Sequence, residues 1–196
     1  LAALGWGFAP DRDKPVSDCM VPHEVFSSCA GAAIYRKAVF DEIGMFDESF
    51  FAYLEDMDVG YRARLAGYRN LYNPYAKVYH LGSASSGSRH NAFKVELSAR
   101  NSMRMLKKNM ATWQFILNMP FILAGITIKT AYFAKKGLVK AYLKGIGTGL
   151  FGKLSGGVKT AGKDDTSSER VSGCADAVSC LKLQMWLFRG MVKRIN

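Results

Sequence analysis

The chain has 196 residues, 49% of them hydrophobic, and a formal net charge of +11. That length suits one ordinary domain, and that apolar content excludes wholesale disorder. The charge is lopsided: residues 1–99 carry 10 Lys/Arg against 12 Asp/Glu, whereas residues 100–196 carry 17 against 4, so a nearly neutral body precedes a basic extension suited to a polyanionic partner.

Residues 1–27 read as an irregular lead-in, because Pro10, Pro15 and Pro22 interrupt any helix. The opening Leu1-Ala-Ala-Leu-Gly-Trp reads as a chain that begins inside a domain, and no signal peptide is visible. Asp11-Arg12-Asp13 lies between two prolines with no hydrophobic strand leading into it, so it reads as an exposed turn. The four cysteines show no paired metal spacing and read as free thiols of a reducing compartment.

Cys29–Tyr35 reads as a buried strand of small residues. Gly31 and Ala32 there permit close approach, either of a ligand or of a packed helix. A short helix over Lys37–Ile43 is closed by Gly44. Residues 53–67 then spell Tyr-Leu-Glu-Asp-Met-Asp-Val-Gly-Tyr-Arg-Ala-Arg-Leu-Ala-Gly. Leu54, Met57, Tyr61 and Leu65 recur at steps of three and four, which predicts a helix with one buried face, ended by Gly67. Glu55, Asp56 and Asp58 fall in its first turn, where the helix dipole favours negative charge. A carboxylate on a rigid element suits general-base catalysis. The competing reading is an acidic turn that only complements the dipole, with Asp58 paired to Arg62 four residues on.

Tyr68–Tyr72 and Ala76–His80 read as short strands around an Asn73-Pro74 turn. His80 ends the second, before a Gly/Ser-rich loop, residues 81–88, whose backbone N–H groups suit phosphates or a linker equally. Asn91–Lys108 reads as a helix carrying Arg100-Asn101, and Arg100 suits either a phosphate or solvent. Residues 109–128 carry no charge, but Gln114, Asn118, Pro120 and Gly125 dilute the run, which favours helices lying in a membrane plane over a span. Lysines interleaved with aromatic and apolar residues follow, which suits an anionic membrane surface. No nucleic-acid recognition motif appears, so nucleic acid is not expected as a partner. Residues 145–162 read as glycine-rich with little packing power. The resulting organisation is 28–110 as one unit, 111–160 as a membrane-associated helical region, 161–180 as a linker and 181–196 as a basic amphipathic helix.

The order of a Gly-Ala strand, an Arg-Lys helix, Gly44-Met-Phe-Asp-Glu, the Glu55-Asp-Met-Asp helix, Gly67-Tyr and a strand ending in His80 resembles the C-terminal half of bacterial family-2 glycosyltransferases, nearest to rhamnosyltransferase-like members that build cell-surface polysaccharides. The likeness runs from about residue 28 to 109. It implies an α/β fold, a partial GT-A (Rossmann-like) half-domain, followed here by amphipathic helices. The family's nucleotide-binding N-terminal half is missing from this sequence. The resemblance further implies an inverting transfer from a nucleotide-sugar donor to a glycan or lipid-linked acceptor, with Mg or Mn on the donor diphosphate. It makes Asp56 the general base, with Glu55, Asp58, Gly31 and Ala32 binding acceptor or supporting it. His80 becomes a metal ligand, and Arg100 and Ser83 contact the diphosphate. The implied location is the cytoplasmic face of the membrane, held peripherally. The rival expectation is a non-catalytic, membrane-associated remnant or interaction protein.

Overall fold

A computed structural model describes residues 5–9, 11, 14–79, 91–152 and 177–195. It is mostly helical. Among the described residues the sheet has two antiparallel strands, β1 (His23–Val25) and β2 (Asn70–Tyr72), with Glu24 opposite Leu71. Six α-helices accompany it: α1 (Lys37–Ile43), α2 (Glu55–Leu65), α3 (Ala92–Asn109), α4 (Thr112–Lys135), α5 (Val139–Phe151) and α6 (Ala177–Ile195).

Local signals account for these boundaries. Gly44, at φ 78°, ends α1 and donates its N–H to the Phe40 carbonyl at 2.9 Å. Gly67, at φ 87°, lets the chain turn after α2 so that Tyr68 N–H reaches the Ala63 carbonyl at 2.9 Å. The Asn91 side chain caps α3 by accepting from Lys94 N–H at 2.8 Å.

The main core joins Phe50, Tyr61 and Leu65 to Val95, Met103 and Leu106 of α3, and continues into Ile122, Tyr142 and Leu187. A second cluster, Val39, Ile43, Val59 and Ala63, seats α1 on α2. α2 therefore packs on two sides. It also lies close to the segment after β1: a Cβ at Gly60 would collide with Ser27. Asn70 and Arg64 donate to the Phe26 carbonyl at 2.8 and 3.0 Å and lock that segment in place.

Several expectations are corrected. Cys29–Tyr35 is not a buried strand; it holds a 3-10 turn, Ala30–Ala32, and the Ile34 side chain is fully exposed. Small residues bury little area, and no described strand lies beside this segment to satisfy its backbone. Residues 76–79 are irregular and exposed rather than a strand; His80 lies outside the described residues. The lead-in holds β1, three residues long, too short to show a period of its own. Residues 145–152 of the glycine-rich stretch do pack, 153–162 lying outside the described residues: Gly145 and Gly149 are buried, and a Cβ on either would collide with the Glu96 or Arg100 carbonyl oxygen of α3. Glycines four apart let two helix backbones touch, so absent side chains here create packing. The last helix starts at Ala177, inside the expected linker. Cys19 and Cys29 are free thiols, but Cys180 is disulfide-bonded.

Candidate active site

Asp56 sits in the first turn of α2, partly exposed. One carboxylate oxygen accepts from its neighbour Met57 N–H at 2.7 Å, and the other accepts from Ala30 N–H at 3.1 Å. The second bond brings the turn containing Gly31 and Ala32 against the acidic helix start, so three sequence-predicted site residues share one place. Glu55 and Tyr35 join them. Glu55 Oε2 and the Tyr35 hydroxyl are both shielded from solvent, with no hydrogen-bond partner. Burial pushes the Glu55 pKa up, its own backbone N–H opposes this, and the Asp56 charge adds to the rise. Burial also raises the Tyr35 pKa, with Asp56, Cys29 and Glu55 acting in the same direction. The ensemble is a carboxylate with a backbone donor on one side and two unused polar groups on the other, a setting that can orient and deprotonate a hydroxyl.

The chain enters this site through strained backbone. Phe51 has φ 63° and ψ −59°, and Ala52 N–H bonds the Phe50 carbonyl at 2.8 Å, which makes Phe51 the centre of a γ-turn of the rare, positive-φ kind. Tyr53 and Leu54 also have positive φ, 66° and 70°. Non-glycine residues in such conformations cost about 1–3 kcal/mol each and persist only where surroundings impose them. The imposing group is Asn101, fully buried in α3. Its single amide nitrogen donates to the Phe50, Ala52 and Tyr53 carbonyls at 2.9, 2.8 and 2.8 Å. Arg104 adds a bond to the Ser49 carbonyl at 2.8 Å.

Arg100 takes part in the same clamp. Its Nη2 donates to the Ser49 and Phe50 carbonyls at 3.2 Å each, and its Nε donates to Asn101 Oδ1 at 3.1 Å. The guanidinium, read from sequence as a diphosphate contact, thus has these donors committed to the loop. Asp58 is fully buried below Asp56. It accepts from Arg62 Nε at 2.9 Å, Lys108 Nζ at 3.0 Å and Asn109 Nδ2 at 2.8 Å. Arg62 in turn donates to the carbonyls of Ile43, Gly44 and Met45. The Asp58–Arg62 pair of the competing reading is therefore present, and Asp58 fastens α2 to α3 and to the α1 turn. Lys108 also reaches Asp47 at 2.7 Å. Burial works to raise the Asp47 pKa, but hydrogen bonds from Lys108 and Ser49 outweigh it, and the net shift is downward.

His80 and Ser83 lie outside the described residues. No group of three or more His, Cys, Asp or Glu side chains converges among the described residues, so these do not by themselves fit a divalent metal. A groove of about 360 Å³ between Arg64, Arg69, Lys182 and Trp186 opens at the far end of α2 and does not include Asp56. Sequence reasoning missed Asn101 as the clamp and Tyr35 as a wall of the site. The Arg100-Asn101 pair was the available signal, with attention drawn to its charged member.

No protein-family model matches the chain, and no solved structure matches it. The chain is 41% identical over 54 residues to N-acetylglucosaminyl-diphospho-decaprenol L-rhamnosyltransferase of two Mycobacterium tuberculosis strains, a stretch covering 28% of this chain and 18% of that protein. It is 30% identical over 87 residues to the uncharacterized protein y4gI of Sinorhizobium fredii, covering 44% of this chain and 10% of that one. The chain thus spans under a fifth of the length of the curated relatives it matches. Over the shorter stretch the relationship is glycosyltransferase-like.

Proposed function

We propose that these residues form the acceptor-activating side of an inverting, family-2 glycosyltransferase of the GT-A type. The observation that carries the proposal is the Asp56 carboxylate at the head of α2, held by Ala30 N–H beside the unpartnered Glu55 Oε2 and Tyr35 hydroxyl. The partial likeness to a rhamnosyltransferase supports the reaction class.

In the proposed step, Asp56 takes the proton of an acceptor hydroxyl as that oxygen attacks the anomeric carbon of a nucleotide-sugar. The new carbon–oxygen bond forms as the bond to the diphosphate breaks. The nucleoside diphosphate leaves with the electron pair, and one displacement inverts the centre. No covalent sugar–enzyme intermediate is needed, unlike a retaining glycosidase with its second carboxylate. Glu55, its pKa raised, and Tyr35 back the Asp56 carboxylate from the shielded side, and the exposed Gly31 and Ala32 supply a wall with little side-chain bulk for the acceptor. A glycan or lipid-linked saccharide is the proposed acceptor. Mg or Mn, with His80 as a proposed ligand, would neutralise the diphosphate; no step is routed through it, and no described residue is assigned to the donor.

The test is Asp56→Asn, assayed for sugar transfer in the whole protein. Loss of a general base lowers kcat by at least ~10²-fold with KM little changed. Near-normal turnover overturns the assignment. One observation favours the rival reading of a non-catalytic remnant: Arg100 is tied to backbone carbonyls. Calorimetric titration of the whole protein with nucleoside diphosphates separates the two, because a remnant binds none.

A further inference from the structure

Helix α4 shows two opposite faces. Gln114, Asn118, Ile122 and Gly125 recur at helical spacing and are buried. Gln114 Nε2 donates to the Cys180 carbonyl at 2.9 Å, and Asn118 exchanges hydrogen bonds with Gln184 at 2.9 and 3.0 Å. The opposite stripe, Trp113, Ile116, Leu117, Leu123 and Ile128, is large, apolar and exposed. The helix is long and apolar enough by composition to cross a membrane, yet only 17% of its most apolar window is buried. Such a stripe on a soluble surface signals something that covers it.

Charge identifies the cover. No Asp or Glu lies between Glu96 and Asp164 in the sequence. Lys135, Lys136 and Lys140 stand exposed where α4 meets α5, and Lys136 lies over the Tyr132 ring at 4.9 Å. Apolar side chains bordered by lysine and aromatic residues, on helices that themselves carry no Asp or Glu, fit an anionic lipid surface.

The packing of α4 also fixes how it would meet that surface. Near its start it bonds α6, and in its middle the Phe121 and Phe188 rings meet at 5.7 Å. Toward its end Lys129 lies over the Trp6 ring at 4.8 Å and Phe133 meets Tyr142 at 5.2 Å. The protein body therefore runs beside the helix for its whole length. Spanning would drag the exposed Lys182 and Arg189 of α6 into hydrocarbon, which is costly.

We infer that the outward stripe of α4 docks in the plane of an anionic membrane leaflet, with Lys135, Lys136 and Lys140 on the headgroups. This rests on α4 and not on the transferase reading, so either can fail alone. The test is flotation of the whole chain with vesicles of phosphatidylcholine, with and without phosphatidylglycerol. Binding is expected to need the anionic lipid, to weaken with salt, and to be stripped by alkaline carbonate. Each lysine near the surface is worth roughly fivefold, so Lys135→Gln with Lys136→Gln lowers partitioning by about 25-fold. Ile116→Glu with Leu123→Glu changes exposed positions, leaves the circular dichroism spectrum intact, and lowers partitioning by about 100-fold. Unchanged partitioning of the glutamate variant overturns the proposal. So does resistance to carbonate, which marks a spanning helix. A wild-type chain that ignores vesicles but self-associates through this face, losing association in the glutamate variant, overturns it as well.

Discussion

Replacing Asn101 with alanine tests whether the strained entry to the acidic helix is imposed from α3. Asn101 makes three bonds as donor and one as acceptor, all between 2.8 and 3.1 Å, and is fully buried. The amide has two N–H hydrogens, one of them shared between carbonyls, so at roughly 0.5–1.5 kcal/mol net per bond, removing two donated bonds and one accepted bond costs about 1.5–4.5 kcal/mol. Two effects reduce this. The Phe50 carbonyl keeps Ala52 N–H and Arg100 Nη2 as donors, so it is not orphaned. The residues at 51, 53 and 54 also relax part of their strain, about 1–3 kcal/mol apiece, once released. The expected loss is therefore about 2 kcal/mol, read from urea denaturation with an unchanged slope. Amide hydrogen exchange supplies the local readout: Ala52 N–H, which closes the γ-turn, exchanges faster in the variant by more than the global loss explains. Asn101→Asp is worse than alanine, because it aims a carboxylate oxygen at three carbonyls. A loss under about 1 kcal/mol with Ala52 exchange unchanged would mean that the loop holds its own shape, and the clamp argument would be wrong.

Other predictions probe the remaining packing and charge. Gly145→Ala and Gly149→Ala each push a methyl into an α3 carbonyl and cost about 1–3 kcal/mol, whereas Gly147→Ala, with open space around its Cβ, stabilises by about 0.5–1 kcal/mol through helix propensity. Thermal denaturation of the three variants orders them, and equal effects would refute the close α3–α5 contact. The lowered Asp47 pKa makes a stability contribution that is present above its unfolded value, near 3.8, and lost as pH falls through the lower folded value. In Lys108→Met only the Ser49 hydrogen bonds still oppose burial at Asp47, so the fall of Tm as pH drops below about 4 becomes shallower. An unaltered Tm profile in that variant would show that Lys108 does not set the Asp47 charge.

The elements with strong local signals were legible in the sequence. α1 and α2 carry apolar residues at helical steps and end at glycines with positive φ, so their limits follow from backbone sterics. The fate of the acidic trio was only half legible. Asp56 and Asp58 are two residues apart, and no sequence pattern distinguishes a carboxylate at a helix mouth from one sealed beneath it. Lys108 and Asn109, fifty residues away, make that difference. The small-residue segment at 29–35 misled because a strand is defined by its partner, and its exposed Ile34 has no described strand beside it. Glycine misled in the opposite direction at 145 and 149. Composition reads glycine as loose chain, whereas at a four-residue interval in a helix it allows the closest packing of all.

Helix α3 gives the molecule its logic. One side of it, through Asn101, Arg104 and Lys108, holds the loop and helix that present Asp56. The adjoining side, at Glu96, Ala99, Arg100 and Met103, takes the backbone of α5 at Gly145 and Gly149 without an intervening side-chain layer. Backbone-on-backbone contact leaves little room for one helix to rock on the other, because close-packed interiors transmit displacement rather than absorb it. α5 is in turn tied to α4 through Phe133 and Tyr142. If the α4 stripe fixes the protein on a leaflet, the α4–α5–α3 series fixes the height and direction of Asp56 above that leaflet. A soluble acceptor gains nothing from such an arrangement. Under the proposed transfer reaction, an acceptor anchored in the same lipid does, since its hydroxyl would then arrive at a set distance from the surface and need to search only in two dimensions.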